Sequence, residues 1–215
     1  MQETIGRASS IKSSQCVQRI AILLVLGLFC AAPASAGEKK QKEFPSIGIK
    51  NFGKVDDRLY RGAQPDEEDF RALAALGIKT VINLREEGKD FEAQAVSAAG
   101  MRYIHMPMSD SKLPPDERAA EFLKIVNDPA NGPVFVHCAG GRHRTGVMVA
   151  VYRLNFYGWD IERAYQEMKE YDFYTRWGHG AMKDYVFSYY KNMHRSNTPA
   201  NNTTIKTEQP DTQAK

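Results

Sequence analysis

An α/β domain, built on a central and mostly parallel sheet flanked by helices, is the fold this sequence predicts. Short apolar runs of strand character alternate with stretches of helical periodicity, the order that builds parallel sheets. A loop of the form Cys-x5-Arg joins one of those strands to a helix. The 215 residues are 42% hydrophobic and 26% charged. That composition suits a globular domain and excludes a multi-span membrane protein, a collagen or a wholly disordered chain.

The elements follow in order. Arg58, Leu59, Tyr60 and Arg61 read as a short strand. Pro65, Asp66, Glu67 and Glu68 open a helix with the apolar stripe Phe70, Leu73, Ala74 and Leu76, and Gly77 ends it. Residues 80–84, Thr-Val-Ile-Asn-Leu, suit a buried strand, and a helix then runs to Ala99 before Gly100 stops it. Residues 101–106 form another strand. Residues 108–115 form a loop, because two prolines and several Asp and Ser residues break regular structure. A helix over 116–127 turns Phe122, Leu123 and Val126 inward. The apolar strand 133–137 and a buried helix over 145–157 come next, followed by helices over 160–171 and 180–193.

The N-terminus reads as an address. Basic residues up to Arg19 precede a 13-residue apolar run, Ile20 to Ala32, and then Ala34, Ser35 and Ala36. This is the order of a secretory signal peptide, and the run is short of the roughly 20 residues that span a bilayer as a helix. The expected organisation is a signal peptide over 1–36 cleaved after Ala36, a charged leader over 37–50, one domain over 51–194 and a disordered polar tail over 195–215. The protein is then exported, periplasmic or secreted, and keeps no stable membrane span. Cleavage removes Arg7, Lys12 and Arg19 with Glu3, which takes the net charge from +3 to +1. So small a charge gives no argument for a nucleic-acid partner.

Cleavage also removes Cys16 and Cys30, leaving Cys138 alone. One thiol excludes an internal disulfide scaffold. It is either buried and inert or kept for its chemistry.

The segment that decides between these runs from His137 to Gly146, His-Cys-Ala-Gly-Gly-Arg-His-Arg-Thr-Gly. Backbone N–H groups of the loop Ala139, Gly140, Gly141, Arg142 and His143 can converge on one anion, joined by the N-terminus of the following helix. The same donors lower the pKa of a thiol, to about 3.5 to 7.5 at helix N-termini. Arg144 can hold two oxygens of a tetrahedral anion with its planar fork. Thr145 can donate its hydroxyl to the sulfur and ease its departure. Arg142 and His143 fit the mouth of such a site, attracting acidic substrates, and fit solvated surface equally.

These residues resemble the signature His-Cys-x2-Gly-x2-Arg-Ser/Thr of the protein tyrosine phosphatase superfamily, in its dual-specificity-like branch. The small atypical members of bacteria, plants and fungi are the most similar. Leu59-Tyr60-Arg61-Gly62-Ala63-Gln64-Pro65 and the strand ending Asn83-Leu84-Arg85 resemble that group more softly, and the resemblance spans about residues 55–190. It implies a cysteine-phosphatase-like fold and a phosphomonoesterase working through a phosphocysteine, with His137 orienting the loop through backbone hydrogen bonds. It also implies a general acid, an Asp on a loop upstream of the cysteine strand. Asp110, 28 residues before Cys138, follows a strand and precedes a helix as required. Asp116 competes, although it sits where a first-turn helix acid is expected. Arg85 fits as a partner of Asp110 or of a structural carboxylate. Trp177 and His179 suit a pocket floor or simple packing.

The substrate is then a phosphorylated protein, a peptide or a small phosphate ester. Inositol polyphosphates or phosphoinositides are an alternative on the same fold, through a basic pocket of Arg142, His143 and Lys112. A rhodanese-like sulfurtransferase and a non-catalytic phosphate-binding module are alternatives of another class. The five histidines show no metal-ligand spacing, and the two-step mechanism needs neither metal nor cofactor.

Overall fold

The strand runs predicted above over residues 58–61, 80–84, 101–106 and 133–137 fall in one five-stranded sheet. The computed structural model describes residues 47–88 and 91–196. The segments expected to be a signal peptide with its cleavage site, the leader up to residue 46 and the tail beyond residue 196 lie outside the described residues.

In chain order the elements are β1 (Gly53–Lys54), β2 (Leu59–Gly62), α1 (Asp69–Ala75), β3 (Thr80–Asn83), α2 (Glu92–Ala98) and β4 (Arg102–His105). Then come α3 (Asp116–Asn127), a 3-10 turn (Pro129–Asn131), β5 (Val134–His137), α4 (Arg144–Tyr157), α5 (Ile161–Glu170) and α6 (Gly180–Ser196). The sheet order is β1-β2-β5-β3-β4. All pairs are parallel except β1 with β2, so the mostly parallel expectation holds with one antiparallel edge.

Strand side chains alternate between two faces, and both faces are covered. Leu59, Ile82, Val134 and Val136 join a core with α3, α4, α5 and α6. Tyr60, Val81 and Phe135 join a second core with Phe70 and Leu73 of α1 and Val96 of α2. The central helix α4 is buried from Arg144 to Leu154, as a helix apolar around most of its circumference must be. Asp160 caps α5, its carboxylate accepting the Arg163 N–H at 2.8 Å.

Three departures from the sequence expectation are local. Ile47 and Ile49 are 1% and 2% exposed and belong to the second core, so the domain begins before residue 51 and the leader is shorter than expected. The charge that marks a leader stops near Glu43, and the alternate isoleucines that follow already have a packing pattern. β1 and the 3-10 turn are too short to show a period. Helix α6 continues past residue 193 to Ser196.

Register places the site. Gly62 of β2 and Asn83 of β3 both pair with His137 of β5. The three parallel strands therefore end side by side, and the loops that follow them meet at one edge, where open α/β sheets bind ligands.

Candidate active site

Between the end of β5 and the start of α4, residues 138–143 form a loop in which three successive carbonyls are held by groups from outside it. The Ala139 oxygen accepts the Gln64 N–H at 3.2 Å. The Gly140 oxygen accepts Asn51 Nδ2 at 2.8 Å, and the Gly141 oxygen accepts Arg61 Nη2 at 2.7 Å. Three consecutive peptide units are thus fixed from outside the loop, and among their N–H groups that of Gly141 is set on the Cys138 sulfur. Gly141 has φ +66°, and a Cβ there would lie 2.5 Å from the Gly62 carbonyl carbon. Only glycine meets both conditions, because the loop presses against the backbone end of β2.

Arg61 does this from inside the protein. It is fully buried, with its guanidinium 3.7 Å from the centroid of the Tyr171 ring. Burial holds its pKa below the ordinary arginine value, partly offset by the nearby Tyr171, Glu167 and Cys138. Its Nε and Nη1 have no hydrogen-bond partner among the described residues, so Gly141 and the aromatic face are what hold it.

Cys138 is 3% exposed. Burial pushes its thiol pKa up, but four other influences bring the net result below the ordinary thiol value. They are the Thr145 hydroxyl, the Thr145 N–H, the positive charge of Arg144 and the Gly141 N–H. The Thr145 hydroxyl has no nitrogen or oxygen partner and lies on the sulfur. The Thr145 N–H is among the first in α4, where no residue one turn earlier can accept it and no side chain caps the end. The helix end thus gives a free donor to the thiolate, as it would to any anion.

The sulfur opens into a cleft of about 190 Å³ shared with Asp110, Ala139, Gly140, Arg142, His143 and Arg144, and closed by Tyr174 and His179. Arg144 is 9% exposed, and its Nη1 donates to the Met108 carbonyl at 3.3 Å, in the loop that carries Asp110. Asp110 itself is exposed. His143 is buried, its Nε2 donating to the Tyr174 carbonyl at 3.1 Å and its ring stacked on His179. Burial first, then the neighbouring His179, Arg142 and Arg144, lower its pKa to about 4 despite the Tyr174 carbonyl.

Beneath the loop, His137 and Glu92 are both fully buried, with Nε2 and Oε1 2.6 Å apart. The resemblance implied backbone partners for His137; its contact is instead this carboxylate. Glu92 accepts Asn83 Nδ2 at 2.8 Å through its other oxygen, and Asn83 Nδ2 also donates to the Tyr103 hydroxyl at 3.0 Å.

Of the residues singled out from the sequence, Cys138, Ala139, Gly140, Arg142, His143, Arg144 and Asp110 line one cleft. Gly141 and Thr145 serve the sulfur from behind it. Asp116 does not line that cleft: it is the first residue of α3 and acts electrostatically on Tyr185. Arg85 takes neither partner expected for it. Its Nη1 donates to Gln64 Oε1 at 2.8 Å, and it lines an adjoining 210 Å³ cleft with Glu86, Glu87, Ala139 and Arg144. Trp177 is 78% exposed, so packing does not account for it. Asn51, Arg61, Gln64 and Glu92 are site residues that sequence reasoning missed. For Arg61 and Gln64 the signal was present, in the stretch Leu59 to Pro65, but that stretch resembles the family without stating a role.

A larger cleft of about 440 Å³ lies against Asp56, Arg58, Asn127, Tyr152, Phe156 and Tyr157 and shares no residue with the cysteine cleft. Both Asp56 oxygens are engaged there, one by the Arg58 and Leu59 N–H groups and the other by the Tyr152 and Tyr157 hydroxyls. Among the described residues no group of three His, Cys, Asp or Glu side chains could hold a metal ion. No helix among them is long and apolar enough to cross a membrane.

Comparison with known proteins gives a family match, two relatives and two solved structures. Residues 44–184 match the family model described as DSP-PTPase phosphatase fused to NAD+ kinase. The chain is 29% identical over 157 residues to the dual specificity protein phosphatase TpbA of Pseudomonas aeruginosa, covering 70% of this chain and 71% of that protein. It is 29% identical over 133 residues to the inositol diphosphatase SIW14 of Saccharomyces cerevisiae, covering 59% of this chain and 47% of that protein. The crystal structure of TpbA superposes with a TM-score of 0.57 at 29% identity, over 67% of this chain and 86% of that one. The Siw14 catalytic core superposes with a TM-score of 0.58 at 25% identity, over 70% and 94%.

Proposed function

The chain belongs to the DSP-PTPase phosphatase family, and from that premise we propose that it is a phosphomonoesterase of the tyrosine and dual-specificity type, acting through Cys138. One observation carries the reading. A thiol with a lowered pKa shares a single cleft with an arginine and an aspartate, and the Gly141 and Thr145 N–H groups donate to its sulfur.

The Cys138 thiolate attacks phosphorus as the bond to the leaving oxygen breaks, giving a phosphocysteine and an alcohol or phenol. Arg144 and the loop amides hold the equatorial oxygens, whose charge persists through both steps. Asp110 gives its proton to the leaving oxygen. As a carboxylate it then takes a proton from water, whose oxygen attacks phosphorus and expels the thiolate. The Thr145 hydroxyl stabilises the departing sulfur. Inorganic phosphate leaves and the enzyme regains its first state. No part of this sequence calls on a metal.

The aromatic ring of Tyr174 at the cleft favours an aryl phosphate such as phosphotyrosine. TpbA carries the name of a dual specificity phosphatase. The second reading, an inositol polyphosphate or phosphoinositide phosphatase, is favoured by Arg142 and Arg144 at one mouth and by the relative named inositol diphosphatase. Export with cleavage after Ala36 is proposed from the basic, apolar and small-residue order of residues 1–36.

Phosphate release by the protein under reducing conditions with a chelator tests the function. The substrates are 4-nitrophenyl phosphate, a phosphotyrosyl peptide and inositol hexakisphosphate, each with a Cys138→Ser blank. Release that disappears in the blank is expected, fastest on the aryl esters. A faster inositol phosphate reaction selects the second reading. Sulfur transfer from thiosulfate to cyanide without phosphate release would replace both.

A further inference from the structure

We propose that His179 is a positioning residue that sets the acid-bearing loop over Cys138; the inference rests on Asp110 being the acid. His179 Nδ1 lies 2.9 Å from the Asp110 carbonyl oxygen. A carbonyl only accepts, so Nδ1 carries the proton and donates. The His179 ring lies flat on that of His143, with centroids 3.7 Å and planes 12° apart. His143 belongs to the cysteine loop and is fastened in turn to the Tyr174 carbonyl. Two imidazoles thus join the acid loop, the cysteine loop and the segment that leads into α6.

The acid loop needs such a brace. Residues 106–115 have no regular structure. The other described bonds that tie this loop to the rest of the domain lie at its two ends: Met106 N–H to Asn83, Met108 N–H to Leu84 and Arg144 to Met108 at its start, and Arg118 N–H to the Pro115 carbonyl where α3 begins. His179 is the described hydrogen-bond partner from outside the loop at Asp110 itself. It takes the main-chain carbonyl and so leaves the carboxyl group for the substrate. A general acid works only within hydrogen-bond reach of the leaving oxygen. Control of the Asp110 backbone is therefore control of proton delivery. The chain before His179 is shaped for the contact: Trp177 and Gly178 both have positive φ, +54° and +88°, and this tight turn presents the ring to the cleft.

Two substitutions in the full chain separate the donor from the ring. His179→Phe keeps a stacking ring and removes the donor, and His179→Asn keeps a donor near the Nδ1 position and removes the ring. Hydrogen–deuterium exchange over residues 107–115 reads the tether. The kcat on an alkyl phosphate against that on 4-nitrophenyl phosphate reads proton delivery, since a good leaving group needs little protonation. His179→Phe should raise exchange in the loop and lower kcat on the alkyl ester about 3- to 10-fold, the worth of one hydrogen bond, with little change on the nitrophenyl ester. His179→Asn should restore most of the loss. In an Asp110→Asn background His179→Phe should add nothing on the alkyl ester.

Unchanged exchange in His179→Phe, or an equal loss on both esters, would overturn the proposal. A loosened loop combined with an Asp110→Asn variant that loses both esters equally would uphold the tether and overturn Asp110 as the acid.

Discussion

His137 Nε2 and Glu92 Oε1 stand 2.6 Å apart with no access to solvent, directly behind the nucleophile's strand. Glu92 comes from α2 and His137 from the central strand, so the pair pins a surface helix to the end of the sheet where the site forms.

Removing the carboxylate should therefore be felt as stability. Glu92→Ala leaves His137 without its carboxylate and Asn83 with only the Tyr103 hydroxyl for its amide, and breaking a buried pair on one side costs about 3–5 kcal/mol. Glu92→Gln keeps an acceptor and should cost less. Urea unfolding with unchanged slope measures both, and a Glu92→Ala midpoint equal to wild type would show that the pair does not hold α2.

The pKa of Cys138 is held below the ordinary thiol value. A lower pKa keeps the thiolate populated at lower pH, so the acid limb of alkylation by iodoacetamide should lie below that of a free thiol. Thr145→Val removes the side-chain hydrogen bond and Arg144→Ala the nearby positive charge. Each should move the limb to higher pH, and a limb that stays in place would detach that residue from the sulfur.

Gly141→Ala should abolish anion binding and destabilise the fold. Alanine at φ +66° carries a left-handed penalty of about 1–2 kcal/mol. Its Cβ also lies 2.6 Å from the Ala63 nitrogen, so the loop must move off β2. Phosphate binding by calorimetry against thermal unfolding checks both effects.

Asp110→Asn should slow alkyl phosphates by about 10²-fold or more, the low end of what general acids contribute, and activated aryl phosphates far less. Asp116→Asn should leave the ratio between the two unchanged, since Asp116 does not line the cleft. The reverse pattern would exchange their roles.

His143 titrates near pH 4 in the folded protein, against 6.5 ordinarily. Between these values the unfolded chain binds the extra proton, so stability rises with pH across the window. As pH falls from 6.5 through 4 that contribution is lost. The groups that face the ring and oppose its charging are His179, Arg142 and Arg144. His143→Phe should flatten the slope between pH 4 and 6.5, and an unaltered slope would place the titration elsewhere.

The fold was legible because strands buried on both faces are short and apolar, and because helix stops coincide with glycines such as Gly77 and Gly100. The nucleophile, its arginine and its threonine were legible because they are close in sequence. Asn51, Gln64 and Arg61 were not. Their part depends on which strand lies beside β5, and nothing local to residues 51–64 states that pairing. Glu92 was hidden for the same reason: it occupies one position of an unremarkable helix, and only the sheet order brings it under His137. His179 and the exposed Trp177 sit on a turn whose positive φ values leave no periodic trace.

The carbonyls held from outside the loop carry one more consequence, for when the chain becomes reactive. Asn51 and Gly140 are 89 positions apart, and Arg61 and Gly141 are 80 apart. In an unfolded chain none of these contacts exists, and Cys138 is an ordinary thiol with little thiolate at neutral pH. Closing loops of that length, and pairing β2 beside β5, is among the slower events of folding. The groups that lower the thiol pKa, on Gly141, Arg144 and Thr145, are close in sequence, but the loop that carries them is fixed late, by long-range assembly. Until the fold has formed the thiol is chemically quiet, and its sensitivity to oxidants arises together with its catalytic competence.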